Sequence, residues 1–431
     1  MNIGIDVDGV LTDYEWYMDY FATQMGHETE IHTHESNMLK RYNWTKEQEK
    51  KFHRKHFMWY VRKMPIRENV AATIKALKAE GHNIYIITAR AYADRKTVFG
   101  SLMRTCLKRW LAKNSVEYDE LVFVDWKNSA EEKVEWAKKM AVDVFLEDTV
   151  ENIEKLRKIC NVICLRAGYN DGLYAEEAHM ESQTEMQMVT YANDFYDVYS
   201  LLGAKARNMD ESCTDVEQWK THYGSFPFDE KELIRYRKHY RRLWRMLSGL
   251  MKARLHLEIT GQENIPEEDG VIFVCNHRRS LDIPLAYLAL GGKHARFLCK
   301  KEYQLSKLQK TVQAIGTIFV NRSSKSSAKT ARRTMIQTLL HDGNVLIFPE
   351  GTRNKTEQVL LPFRYGAVRI AGKTGAKIVP MVIKKSGKKS YRIAIGKSMQ
   401  VGAGDVLEEK NRELWEYMRE MVEGMEQEFA L

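Results

Sequence analysis

Residues 271–282 read VIFVCNHRRSLD, and this stretch decides how the C-terminal half of the chain folds. Its first five residues are an unbroken apolar run, which is typical of a buried strand. Two polar residues end the run, the second of them His277, and Asp282 follows five positions later. A histidine just beyond a strand suits a general base that a nearby carboxylate holds in one tautomer. The stretch therefore predicts a buried strand followed by a catalytic loop.

The rest of this half continues as an α/β alternation, with further strands predicted at residues 315–320, 345–348 and 377–383. Two of these strands lead into an arginine, in the sequences GTIFVNR (316–322) and FPEGTR (348–353). Two guanidinium groups near one site fit bidentate recognition of a phosphate. Gly351 allows the backbone to approach an anion closely. These residues predict a phosphate-binding site beside the histidine.

The residues around His277 do not indicate a covalent acyl-enzyme. There is no GxSxG sequence, and the six cysteines are scattered without a CxxC pair. We interpret the cysteines as reduced and mostly buried. The attacking group is then expected to be a hydroxyl of the substrate itself.

These motifs resemble the glycerolipid acyltransferase family, in particular the lysophosphatidate acyltransferases, over about residues 245–400. The HxxxxD motif is met by His277 and Asp282, and the arginine motif by residues 316–322. Residues 350–353 match the EGTR motif, and Val379-Pro380 matches the final proline motif. Where the family often has glutamine after the histidine, this chain has Arg278.

The resemblance implies transfer of an acyl group from acyl-CoA or acyl carrier protein to 1-acylglycerol 3-phosphate, giving phosphatidate. It implies that His277 deprotonates the glycerol hydroxyl and that Asp282 orients His277. It also implies an acceptor site that needs no metal or other cofactor. The residues expected to bind the acceptor are Arg322, Glu350, Gly351, Thr352 and Arg353.

The N-terminal half alternates apolar runs with helical patterns, which predicts a mostly parallel sheet. The predicted strands are residues 3–7, 83–87, 120–124, 142–146 and 162–165. Asp6 and Asp8 stand at the end of the first strand, where a doubly wound sheet binds its ligands. One carboxylate can attack a phosphate, the other can protonate the leaving oxygen, and the pair can share Mg²⁺. The sequence thus predicts phosphoryl-transfer chemistry.

These residues resemble the haloacid dehalogenase superfamily of phosphatases over about residues 1–200, especially its 5′-nucleotidase-like members. The resemblance implies that Asp6 is the nucleophile and Asp8 the acid/base. Thr88 and Lys133 are implied as phosphate binders, and Asp6, Asp8 and Asp148 as the residues that hold Mg²⁺. The chain has Glu147 where many members have aspartate. An alternative is that this half keeps the fold and acts as a non-catalytic sensor that governs the acyltransferase.

The predicted architecture is therefore two tandem α/β domains. Residues 1–200 form a Rossmann-like phosphatase domain with a small helical cap at about residues 14–69. Residues 201–228 form a linker, and residues 229–431 form the acyltransferase domain, which begins with a basic amphipathic helix.

The two predicted halves also differ in net charge. Residues 1–200 hold 27 Lys+Arg against 32 Asp+Glu, whereas residues 201–431 hold 40 against 26, so the basic half favours an anionic partner. At residues 231–257 apolar and basic positions recur at helical spacing. This helix either lies on an anionic membrane surface or packs its apolar stripe on its own domain.

The expected location is the cytoplasm, with peripheral association at the cytoplasmic face of the membrane. No stretch approaches the length of an apolar span, and the chain opens directly into a predicted strand. A nucleic-acid partner is not expected, because the basic half lacks an RNA-recognition, helix-turn-helix or zinc-finger pattern.

Overall fold

The computed structural model describes residues 1–25, 31–90, 92–171, 173, 189–205, 213, 215–305 and 309–427. The chain divides into two compact units, Met1–Ala206 and Arg207–Leu431. Both have the α/β class predicted from the sequence.

The first unit is built from alternating strands and helices. Its strands are β1 (Asn2–Ile5), β2 (Asn83–Thr88), β3 (Glu120–Phe123), β4 (Val144–Glu147), β5 (Asn161–Leu165) and β6 (Val189–Ala192). Its helices are α1 (Tyr14–Thr23), α2 (Met38–Arg41), α3 (Lys46–Lys63), α4 (Val70–Ala79), α5 (Val98–Lys113), α6 (Ser129–Lys139), α7 (Val150–Leu156) and α8 (Phe195–Leu202).

These strands form one parallel sheet in the order β3-β2-β1-β4-β5-β6. The chain moves outward from β1 to β3 and then returns to the other side of β1 with β4. This reversal opens a crevice at the carboxyl ends of β1 and β4, where doubly wound sheets bind ligands. The sheet confirms the predicted Rossmann-like fold and places the loop after β1 at its switch point.

Between β1 and β2 the chain forms a helical insertion that contains α1, α2 and α3. Aromatic side chains supply its core, because helices this short need large apolar groups to pack against one another. The buried members include Tyr17, Tyr42, Trp44 and Phe52. Tyr17 stacks on Trp59 with ring centroids 5.0 Å apart.

The second unit has its own sheet. Its strands are β7 (His256–Thr260), β8 (Ile272–Cys275), β9 (Ala295–Lys300), β10 (Ile318–Val320), β11 (Asn344–Ile347), β12 (Ile378–Lys385) and β13 (Ser390–Ile395). Its helices are α9 (Val216–Gly224), α10 (Glu230–Arg254), α11 (Asp282–Ala289), α12 (Gln309–Ala314), α13 (Lys325–Leu340), α14 (Gly366–Thr374) and α15 (Leu407–Gln427).

The second sheet has the order β10-β9-β11-β8-β12-β13-β7. Its strands pair in parallel from β10 to β12, β13 runs antiparallel to β12, and β7 runs parallel to β13. Strand β8, from the quoted run, lies between β11 and β12. Its Ile272, Phe273, Val274 and Cys275 are fully buried, which explains the unbroken apolar sequence.

Helix α10 covers most of the predicted basic amphipathic helix. Its Leu233, Tyr240 and Met251 are buried on its own unit. Ile234 and Met246, by contrast, are 61% and 66% exposed. One face therefore packs inward while another presents apolar side chains to solvent. None of the described helices combines the length and apolar character needed to cross a membrane.

Helix α9 lies inside the stretch that the sequence suggested was a linker. Trp219 and Tyr223 are buried, and α9 packs against α13 and α14. Polar residues dominate the stretch by number, but aromatic residues four apart give this helix one strongly apolar side. Residues 206–212 and 214 of the predicted linker lie outside the described residues.

We expect Trp219→Ala to lower the free energy of unfolding of the second unit by about 3–5 kcal/mol, the usual cost of removing a buried large aromatic side chain. Trp219 is 2% exposed, and its indole N–H donates a 2.8 Å hydrogen bond to the Cys213 carbonyl. Urea denaturation of the full chain, followed by far-UV circular dichroism, measures the change. The exposed neighbour Gln218→Ala is the control, and equal stability of the two variants would contradict the packing of α9.

Candidate active sites

The quoted stretch places His277 and Asp282 in one hydrogen-bonded pair. Strand β8 ends at Cys275, the loop carries His277, and Asp282 opens α11. The Nδ1 atom of His277 lies 3.1 Å from Oδ2 of Asp282. The same Asp282 oxygen accepts the backbone N–H groups of Arg278 and Arg279 at 2.7 and 2.6 Å. This arrangement holds the imidazole in one tautomer and leaves Nε2 as the nitrogen that can act as a base.

Glu350 ties the loop after β11 to the histidine loop. One carboxylate oxygen accepts the His277 backbone N–H at 2.7 Å, and the other accepts that of Leu361 at 2.9 Å. The backbone N–H of Asn354 also donates to the His277 carbonyl at 2.7 Å. Burial raises the pKa of Glu350, and the two backbone donors oppose that shift. The observed contacts of Glu350 are thus positioning contacts, and its predicted binding of the acceptor stays a prediction.

Two positioning residues near His277 were not among the residues selected from the sequence. The side chain of Asn276 forms two hydrogen bonds with the backbone of Ile383 in β12, at 2.8 and 3.1 Å. The ring of Phe348 lies 4.5 Å from the imidazole, centroid to centroid. Both lie within two residues of the matched motifs, and this proximity in sequence could have indicated that they belong to the site.

The other predicted acceptor-binding residues lie at the same carboxyl edge of the sheet. Gly351, Thr352 and Arg353 follow β11, the strand beside β8, and Arg322 follows β10. A guanidinium nitrogen of Arg353 lies 3.2 Å from the Tyr303 hydroxyl. Neighbouring strands are about 4.8 Å apart, so β10 is about 10 Å from β11. Arg322 must therefore reach across β9 to share a ligand with Arg353.

In the first unit, Lys133 joins two of the strand-end carboxylates. Its ammonium group lies 3.3 Å from Asp6 and 2.6 Å from Glu147. Lys133 is 1% exposed, so its charge is neutralised inside the protein rather than by water. Glu147 also accepts the side-chain amide of Asn152 at 3.1 Å and the backbone N–H of Asp148 at 3.0 Å. Glu147 is thus a buried anchor for Lys133.

Asp6, Glu147 and Asp148 bring carboxylate oxygens within 4.8 Å of one another. One oxygen each of Asp6 and Asp148 is buried without a hydrogen-bond partner. Oxygen donors of this kind are the ligands that Mg²⁺ prefers, so the residues fit the predicted ion. Gly9 makes the approach possible: at φ +84° its α-carbon faces Asp148, and a β-carbon there would collide with the carboxylate.

Two carboxyl groups of this cluster have raised pKa values. Burial raises the pKa of Asp6 to about 7, and the nearby charge of Lys133 opposes the rise. Burial raises the pKa of Asp148 as well, with further contributions from Glu147 and Asp6. Ionising all three carboxyl groups would give more negative charge than Lys133 balances, and a bound cation would relieve that cost.

The Asp8 side chain contacts the helical insertion. Its carboxylate accepts a hydrogen bond from the Tyr60 hydroxyl on α3 and lies 3.5 Å from the Arg90 guanidinium. Arg90 also donates to the Tyr60 carbonyl at 2.9 Å. Thr88, at the end of β2, is buried at the same edge of the sheet. Arg90 could be found from the sequence, because it lies two residues after Thr88. Tyr60 could not, because it lies 52 residues from Asp8 and belongs to no motif.

A cavity of about 420 Å³ lies beside Tyr60 in this unit. Aromatic rings supply most of its wall, with one lysine and two histidines among the other lining residues. The aromatic members are Tyr14, Tyr17, Phe52, Phe57, Tyr60, Tyr92 and Trp126. Such a wall suits a flat or apolar group on a ligand.

Residues 256–384 match the model of the Acyltransferase family. This match confirms the predicted resemblance of the C-terminal half to acyltransferases.

Among the relatives is a 1-acyl-sn-glycerol-3-phosphate acyltransferase of Borreliella burgdorferi, 33% identical over 136 residues, which are 31% of this chain and 54% of that protein. Another is human 1-acyl-sn-glycerol-3-phosphate acyltransferase alpha, 30% identical over 130 residues, or 30% of this chain and 46% of that protein. The chain thus spans about half the length of the curated relatives it matches.

Three solved structures are among those to which the chain has a limited similarity. The 1-acyl-sn-glycerophosphate (LPA) acyltransferase PlsC of Thermotoga maritima is 22% identical, with a TM-score of 0.36, and covers 54% of this chain and 89% of its own. A predicted phosphoglycolate phosphatase of Haemophilus somnus is 15% identical, with a TM-score of 0.31 and coverage of 46% and 96%. A HAD-superfamily hydrolase of Ehrlichia chaffeensis is 12% identical, with a TM-score of 0.28 and coverage of 47% and 95%.

We expect Asp6→Asn to stabilise the protein at pH 8 in the presence of EDTA. The folded state raises the pKa of Asp6, so stability is greatest below the unfolded pKa and is lost as the pH rises through about 7. Asparagine mimics the protonated form, and its advantage should therefore disappear as the pH falls toward 4. Thermal unfolding of the full chain across this pH range measures the effect.

The exposed carboxyl at Glu117 supplies the control, because Glu117→Gln removes a charge without relieving the cluster. A wild type as stable as Asp6→Asn at pH 8 would show that ionised Asp6 is not destabilising.

Proposed function

We propose that the second unit transfers a fatty acyl group from acyl-CoA or acyl carrier protein to 1-acylglycerol 3-phosphate, giving phosphatidate. The His277–Asp282 pair, fixed at 3.1 Å and held by Glu350, is the observation that carries the proposal. The family match over residues 256–384 and the names of the relatives support it.

In the proposed reaction, Nε2 of His277 takes the proton of the acceptor's free hydroxyl while Asp282 stabilises the imidazolium. The hydroxyl oxygen attacks the thioester carbonyl carbon, and a tetrahedral intermediate forms. The carbon–sulfur bond then breaks, and the leaving thiolate takes the proton from His277. An ester and a free thiol result, so the route needs no covalent acyl-enzyme and no cofactor.

Arg322 and Arg353 bind the phosphate of the acceptor in this proposal, with Thr352 donating its hydroxyl and Gly351 leaving room for the anion. Glu350 keeps this loop attached to the backbone of His277. Binding the phosphate and activating the hydroxyl are therefore mechanically linked. This link suits an acceptor that carries both groups on one short glycerol backbone.

For the first unit we propose a Mg²⁺-dependent phosphomonoester hydrolase. Asp6 attacks the phosphorus as the bond to the ester oxygen breaks, Asp8 protonates that leaving oxygen, and Thr88 and Lys133 hold the phosphate oxygens. A water molecule that Asp8 deprotonates then attacks the phosphorus, which releases inorganic phosphate and restores Asp6. Asp6, Asp8 and Asp148 are the proposed residues that hold Mg²⁺, which would neutralise the phosphate charge. The orphaned oxygens of Asp6 and Asp148 support the assignment, and the aromatic cavity favours an ester with a flat group, such as a nucleotide.

We also propose that the protein associates peripherally with the cytoplasmic face of the membrane through α10. Ile234, Met246 and Leu250 are exposed on this helix, and arginines 241, 242 and 245 are exposed beside them. Exposed apolar groups among basic side chains favour an anionic lipid surface, at about 1 kcal/mol for each basic residue. Such a location would bring the enzyme to its lipid substrate and product.

We expect His277→Ala to reduce phosphatidate formation at least about 100-fold, because the variant has lost its general base. Transfer of radiolabelled acyl groups from acyl-CoA and from acyl carrier protein to lysophosphatidate measures the activity. His256→Ala removes an exposed histidine as the control. Wild-type protein that is inactive with both donors, or His277→Ala that retains full activity, would refute the proposal.

We expect Asp6→Asn to abolish phosphate release in the presence of Mg²⁺ and to leave acyl transfer unchanged. Nucleoside monophosphates and lipid phosphate esters are the substrates to compare, with Glu117→Gln as the control. If no substrate gives Asp6-dependent release, the hydrolase proposal is wrong. The alternative, a non-catalytic sensor, would then be favoured if a ligand of the first unit changes the rate of acyl transfer.

A further inference from the structure

Arg364 lies outside the matched motifs but folds back onto the loop that follows β11. Its backbone N–H donates to the Pro349 carbonyl at 2.9 Å. Its side chain then lies against Gly351, because a β-carbon at residue 351 would be only 2.5 Å from Arg364 Nε. Gly351 also has φ +66°, where other residues are strained. The glycine of the EGTR motif therefore makes room for the Arg364 side chain.

Arg364 is also an electrostatic neighbour of Arg322. Partial burial lowers the pKa of Arg322, and the positive charge of Arg364 lowers it further. Like charges that lie close together repel each other, and a bound anion relieves the repulsion. Among the described residues no direct ion pair joins a carboxylate to Arg322, Arg353 or Arg364, and the charge of Glu302 partly offsets that of Arg364 at Arg322. Arg364 thus lies beside the loop that carries Arg353, and its charge also acts on Arg322.

We propose that Arg364 is a third phosphate-binding residue, which works with Arg322 and Arg353 on the phosphate of the acyl acceptor. The inference rests on the proposed acyltransferase function and adds a specificity-determining residue to it. Arg364 adjoins Gly351, and the preceding residue, Glu350, accepts a hydrogen bond from the backbone N–H of His277. A phosphate bound here is consequently coupled to the position of the general base.

Phosphate groups occur on both substrates when the donor is acyl-CoA, so the source has to be distinguished. Arg364 sits on the loop that Glu350 joins to His277, where the acceptor hydroxyl must be activated. This position favours the acceptor phosphate. Arg364 would then allow the enzyme to select lysophosphatidate over an acylglycerol that lacks a phosphate.

The test is steady-state kinetics of the full chain with Arg364→Ala, Arg364→Lys and the control Arg369→Ala, an exposed arginine on α14. We expect Arg364→Ala to raise the KM for lysophosphatidate about tenfold or more, the effect of losing a charge-assisted hydrogen bond, with the KM for acyl-CoA unchanged. Lysine should restore part of the loss. The preference for lysophosphatidate over 1-acylglycerol should fall in the same order.

A second measurement separates this inference from the proposed function. Calorimetric titration with glycerol 3-phosphate, using His277→Ala protein with and without Arg364→Ala, reports headgroup binding without turnover. If the wild type transfers no acyl group to lysophosphatidate but glycerol 3-phosphate binding depends on Arg364, the proposed function is refuted and the phosphate site is kept. A higher KM for acyl-CoA alone, or unchanged KM and titration for Arg364→Ala, would overturn the inference.

Discussion

The parallel pairing of strands is the constraint on which both candidate sites depend. Parallel strands all end at the same edge of a sheet, so residues distant in sequence meet there without any direct chain connection. In the second unit, β8 and β11 are neighbours, and this alone brings Glu350 within 2.7 Å of the backbone of His277, 73 residues away. In the first unit, the adjacency of β1 and β4 brings Asp148 to Asp6 in the same way.

The two sites handle buried charge differently. The first unit surrounds one lysine with several carboxylates, which leaves excess negative charge and oxygen atoms without partners. Ionisation of these carboxyl groups lowers the stability of the folded state at neutral pH, and a bound cation would restore stability. The second unit satisfies its buried carboxylates with backbone N–H groups and places Arg322, Arg353 and Arg364 in loops near its strand ends. The first arrangement fits the proposed metal ion and phosphate ester, and the second fits the proposed anionic acceptor.

Apolar runs predicted the central strands well, because a strand covered on both faces must be apolar throughout. Strands that are not apolar throughout escaped this signal. Strands β7 and β13 alternate between exposed or half-buried and more buried residues, and β9 ends in half-buried and exposed positions. Helix α9 was missed for a related reason, since Trp219 and Tyr223 make an apolar side too narrow to dominate a polar stretch. Burial in these elements is decided by their neighbours.

The sequence by itself determined the two α/β halves, the order of the motifs and the residue types available for chemistry at each strand end. It could do so because periodicity and composition are local properties of the chain. Only the tertiary structure decided which groups these side chains contact. Glu350 holds backbone, Asp8 meets Tyr60 of a helical insertion, and Arg364 rests against Gly351. These contacts follow from strand order and side-chain direction, which no spacing along the chain encodes.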